Sequence, residues 1–146
     1  MVTRRFLLSS VFLALFVLVG CSDKALQTTA KASRDVAAAN LALSNTLIQA
    51  AQSGALTDEY VRPILQVSLQ VAQAGKQVDA AIAGISQLSP TDRTKILAII
   101  QPVITSLNTA VSQTALIKND TIKTEVMAAL TTIQAALASV RVAMGS

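Results

Sequence analysis

The sequence has no histidine, no tryptophan and one cysteine, Cys21. Without histidine the chain lacks the side chain most often used as a general base near neutral pH, and most zinc and haem ligand sets go with it. A lone cysteine cannot close an internal disulfide, so a disulfide framework is excluded. Aromatics are scarce too. Phe6, Phe12 and Phe16 all fall in the first twenty residues, and Tyr60 is the only aromatic beyond them. Charge is also sparse, at 14% of residues against the usual ~25%. The net charge is +4, but Arg4 and Arg5 supply half of it; the rest of the chain carries ten cations and eight anions. Its Lys and Arg residues are scattered, with no basic stripe and no interleaved aromatics for base stacking, so nucleic acid is not an expected partner.

Apolar residues are abundant, at 52% of a 146-residue chain. That is the opposite of a disordered composition and supplies material for one core. The apolar content has two distributions. Residues 6–19 form an uninterrupted uncharged run behind Arg4 and Arg5. A basic n-region followed by this uncharged, mostly Phe, Leu and Val stretch matches a signal-peptide h-region and falls short of the ~20 apolar residues needed to span a bilayer. From Lys24 onward, apolar residues recur at three- and four-residue steps instead.

The run closes on Leu18-Val19-Gly20-Cys21. This tetrapeptide resembles the lipobox of bacterial lipoproteins, and the resemblance covers residues 1–21 alone. It implies a signal peptide over 1–20, cleavage between Gly20 and Cys21, and a mature chain of 21–146. It implies covalent diacylglycerol on the Cys21 sulfur and an N-acyl chain on its freed amine. The chemistry agrees: a thiolate is the nucleophile that takes the lipid, and two or more acyl chains anchor firmly where one binds marginally. An ordinary cleaved signal and an uncleaved anchor are the alternatives; no Ala-x-Ala site follows the run, and the run is short for an anchor. Ser22 after Cys21 implies, by the same resemblance, a cell-envelope protein on the outer membrane facing the periplasm rather than on the inner membrane.

The remainder reads as an all-α, antiparallel up-down four-helix bundle, with helices at about 23–52, 57–88, 90–118 and 120–144. In the first, Val36, Asn40, Leu43, Leu47 and Ala50 form one stripe and Ala37, Leu41, Ser44 and Ile48 a second, together a wide apolar face. Gly54 is placed to end that helix. Thr57, with Asp58 and Glu59 behind it, starts the second; Val61, Leu65, Ala72, Val78, Ile82 and Ile85 should face inward, Pro63 should bend or delay the start, and Gly75 and Gly84 should admit a close neighbour. Ser89-Pro90 with Asp92 is a strong start for the third, whose stripe is Ile96, Ile100, Val103, Leu107, Val111, Thr114 and Ile117, with a kink expected at Pro102. Asn119 or Asp120 caps the fourth, which has Ile122, Val126, Leu130, Ile133, Leu137, Val140 and Met144 on one side.

No catalytic constellation emerges. Asp58, Glu59 and Asp92 are explained by helix starts, no Ser or Thr has a His partner, and no metal-ligand spacing or phosphate loop is present. The expectation is therefore no catalytic residue, no cofactor and no metal. The uncharged stretch 96–117, with Leu97, Ile99 and Ile104 off its main stripe, reads as a helix buried more deeply than its neighbours, the alternative being a surface for a partner, a bilayer or a lipid-like ligand, and Asn40 and Asn108 read as helix-contact residues. The leading function is a non-enzymatic lipoprotein tethered through Cys21 and acting through protein–protein or membrane-proximal contacts; Lys24, Lys31 and Arg34 read equally as facing lipid head groups or as an ordinary solvated helix surface. The alternative is a carrier for an apolar ligand held between the helices; self-association into a homo-oligomer through the lightly charged surface is a third reading. The protein partner is not specified by the sequence.

Overall fold

A computed structural model describes residues 23–145. The signal-peptide and lipobox assignments, including Gly20 and Cys21, lie outside the described residues. Within them are four helices: α1 (Lys24–Gln52), α2 (Asp58–Ile82), α3 (Pro90–Thr114) and α4 (Asp120–Ala143). At 1.5 Å per residue they are about 36–44 Å long. They pack as a ring in which α1 meets α2 and α4, and α3 meets the same two, with α1 against α4 the most extensive contact and α3 against α4 the least. The start of α1, the end of α2, the start of α3 and the end of α4 share one pole, so the topology is antiparallel up-down.

Local chemistry fixes the boundaries. Asp23 caps α1 by accepting from the Ala25 amide at 2.9 Å. Gly54, at φ +70°, turns the chain off α1, and the amides of Ser53, Gly54 and Leu56 take its last carbonyls. Thr57 precedes α2 but makes no side-chain cap bond. Pro63 sits inside α2 without delaying its start. Ser89 and Asp92 form the reciprocal capping box of α3, with Pro90 at its first position. The Asn119 side chain accepts from the Ile122 amide at 3.1 Å.

Two expected boundaries move. α2 ends at Ile82, not 88, because Gly84 adopts φ +72°; Ile85 and Leu88 kept the apolar rhythm going in sequence but belong to a loop. Gly84 therefore ends the helix rather than sitting inside it. Nor does Gly75 mark a close approach, since a Cβ there would meet nothing within 4 Å. α3 ends at Thr114, not 118; Ile117 is still buried, but in the turn that follows. α3 runs as one helix through Pro102.

The core is centred on Leu43, Leu47, Ile64, Ile96, Ile100, Leu107, Leu130 and Ile133. The stripes of α3 and α4 fall as the spacing indicates, with Val111 and Ile122 half-buried. In α1 the first stripe is buried, but the second is not: Leu41 is 63% exposed, and Ala37 and Ile48 are also exposed. In α2 the inward face is rotated. Ile64, Val67, Val71 and Ala74 join Val61 and Val78, while Leu65 is half-buried and Ala72 exposed. α3 is no more deeply buried than its neighbours; Leu97, Ile99 and Ile104 are half-buried against the core edge. Both α3 and α4 are long and apolar enough to cross a membrane by length and composition, yet each directs its main stripe at the other helices.

Candidate functional site: the pole where the chain enters the bundle

The first described residue, Asp23, lies two positions after Cys21. The sequence places it at the start of the first helix; in the structure it is also a junction. Besides capping α1, its second carboxylate oxygen accepts from the Leu88 amide at 3.3 Å and from Arg93 Nη2 at 3.2 Å. Its own amide points at the Ser86 carbonyl, 3.4 Å away. Arg93 in turn donates from Nη1 to the Ala143 carbonyl at 3.1 Å. One carboxylate and one guanidinium thus tie together the start of α1, the α2–α3 loop, the start of α3 and the end of α4.

The pair is partly shielded, with the Asp23 side chain 15% and the Arg93 side chain 33% exposed. The Ala25 amide holds the Asp23 carboxyl below the usual carboxylate range; partial burial opposes this, and the Leu88 amide and Arg93 reinforce it. Asp92, one residue away, is also lowered, chiefly by the Ser89 hydroxyl and then by the Ser89 amide. Both carboxylates are therefore ionised well into the acid range. No spacing motif announces the Asp23–Arg93 pair, because its members are 70 residues apart.

Other sequence-marked residues fall elsewhere. Asn40 donates to the Ser68 carbonyl at 3.0 Å, while Ser44 and Ser68 share a 2.7 Å hydroxyl contact; Asn40 is thus a contact between α1 and α2. Its Oδ1 is buried without a partner among the described residues. Asn108 accepts from Gln134 at 3.0 Å, linking α3 to α4. Leu41 and Leu69, 63% and 64% exposed, flank the Asn40–Ser68 contact. Lys31 pairs with Asp35 at 2.7 Å. It sits about 12 Å along α1 from Asp23 and Arg34 about 16 Å, so of the three cations first considered for head groups only Lys24 is at the pole itself.

Between the helices lies a cavity of about 20 Å³, bordered by Thr29, Val71, Gly75, Ile100 and Leu137 among others. That is room for roughly one water, whereas ligand pockets run to about 300–1,000 Å³. Among the described residues, no three acidic or thiol side chains gather as a metal site would require. Compared with protein-family models, with curated proteins and with solved structures, the chain gives no match.

Proposed function

We propose that this chain is a small lipid-anchored lipoprotein of the bacterial cell envelope, without enzymatic activity, whose helical bundle acts by contact with a protein partner close to the membrane. The observation that carries the reading is Leu18-Val19-Gly20-Cys21 at the end of a basic-then-apolar leader. Cleavage before Cys21 makes it the first residue of the mature chain and the attachment point for diacylglycerol and an N-acyl chain. Ser22 directs the protein to the outer membrane, facing the periplasm. Support comes from the bundle, which begins at Asp23–Lys24 and so leaves nothing for a long stalk. The small interior volume disfavours the apolar-ligand carrier.

The test is Cys21→Ser expressed in a bacterium with two membranes and fed a labelled fatty acid. The parent chain should carry the label and fractionate with outer membranes, while the variant should lose the label and its processing at Gly20. Label retained by the variant would refute lipid attachment at Cys21.

A further inference from the structure

Charge is unevenly divided along the bundle. The half that contains Asp23 carries seven cations against four anions, a net +3; the opposite half carries three against four, a net −1. The cations nearest the Asp23 pole come from three helices: Lys24 opens α1, Arg93 and Lys95 lie in the first turns of α3, and Arg141 lies in the last turn of α4. Val142, on the same last turn, is 75% exposed. Between the two poles each helix has an uncharged middle, at 36–57, 63–75, 96–117 and 126–140. Within the +3 half, the flanks hold Lys31, Arg34 and Lys76 beside Asp35 and Asp79, a net +1, and the Asp23 pole holds Lys24, Arg93, Lys95 and Arg141 beside Asp23 and Asp92, a net +2, so the pole offers an anionic surface the larger attraction.

Because Asp23 is bonded to Leu88 and Arg93, only Cys21 and Ser22 remain between the folded bundle and the lipid. Two extended residues reach about 7 Å, less than a bundle diameter. We infer that the bundle stands upright on an anionic head-group surface, seated on the Asp23 pole with its opposite pole some 40 Å from the bilayer. This rests on lipid attachment at Cys21 and adds to it an orientation and a lipid chemistry. The attraction is that of Lys24, Lys95 and their neighbours for lipid phosphates, and it is confined to a Debye length of the surface. The competing pose lays the bundle flat with Leu41 and Leu69 toward the membrane.

The experiment uses the processed, lipidated protein in vesicles, either of phosphatidylcholine with phosphatidylglycerol or of phosphatidylcholine alone. With the Cys21 sulfur alkylated, an introduced cysteine is the one free thiol for a fluorophore. Ser86→Cys reports the Asp23 pole, Thr57→Cys the far pole and Leu69→Cys the α1–α2 flank. A head-group spin label should quench the Ser86→Cys probe several-fold more than either other probe in anionic vesicles. That difference should shrink in neutral vesicles and in a Lys24→Glu, Lys95→Glu background. Equal quenching at both poles, or strongest quenching at Leu69→Cys, would overturn the upright pose. A preference for the Ser86→Cys probe that is indifferent to lipid charge would overturn its electrostatic basis. A protein that fails to float with vesicles and whose Cys21 thiol still takes the dye would remove the anchor, and the orientation with it.

Discussion

The two poles of this bundle are closed differently. At the entry pole, polar groups reach across the structure: Asp23, Leu88, Arg93 and Ala143 join three helices and a loop through one carboxylate and one guanidinium. At the far pole, closure is mostly local. The amides of Gly54 and Leu56 bond back to α1, those of Leu116 and Ile117 bond back to α3, and Leu56 and Ile117 plug the end with apolar bulk. Among the described residues, the cross-braces there are pairwise, such as the 3.4 Å Thr46–Glu125 bond and the 3.0 Å bond from Lys123 Nζ to the Ala115 carbonyl. The braced pole is the one two residues from Cys21 in sequence, so under the proposed lipid attachment the residues next to a short tether would be the held ones.

The largest effects should come from the two loop leucines. Leu88→Ala and Leu56→Ala each remove a buried side chain and should cost about 2–5 kcal/mol in urea unfolding. Their footprints should differ. Hydrogen exchange should quicken in Leu88→Ala at the start of α1, the start of α3 and the end of α4, and in Leu56→Ala around residues 50–61 only. Footprints of equal spread would erase the distinction between the poles.

Next is Arg93→Met, which removes the guanidinium from Asp23 and from the Ala143 carbonyl and leaves Asp23 its two amide donors. It should loosen the entry pole and show non-additivity with Asp23→Asn in a double-mutant cycle. Acid should have a related effect. The folded Asp23 and Asp92 carboxyls lie below their ordinary values, so their contribution is complete above about pH 4 and fades as pH falls through the lowered folded values. Hydrogen exchange below that pH should quicken at the entry pole before the far pole, and less steeply in Arg93→Met. An acid response confined to the far pole would contradict the assignment.

The helix starts give a finer contrast. Ser89→Ala breaks a formed capping box and should cost about 1 kcal/mol. Thr57→Ala, which loses no side-chain bond, should cost a few tenths of that. Chemical denaturation of the two variants side by side measures the difference; equal costs would show that Thr57 caps α2 in solution.

Fold class, helix number and the stripes of α3 and α4 were legible because each has one apolar stripe with a clear start signal, as at Ser89-Pro90 and Asn119. α1 and α2 were legible only in part. Leu41 and Leu69 are apolar but face outward, and nothing local separates them from Leu43 or Ile64; only the positions of the neighbouring helices do. The ends of α2 and α3 were misplaced for a similar reason, since Ile85, Leu88 and Ile117 continue the apolar rhythm after Gly84 or the α3–α4 turn has already ended the helix. The leader and lipobox readings rest on a short contiguous signal that lies outside the described residues. The Asp23–Arg93 junction could not, because it joins residues that only the folded topology brings together.

The central claim, that Cys21 is the lipidated first residue of the mature chain, is tested most directly by intact mass measurement of the protein extracted from membranes. The account predicts a polypeptide of residues 21–146 carrying the added mass of diacylglycerol and an N-acyl chain, with fragmentation placing both on Cys21. A mass matching an unmodified chain, or one that retains Met1 or starts elsewhere, would contradict it.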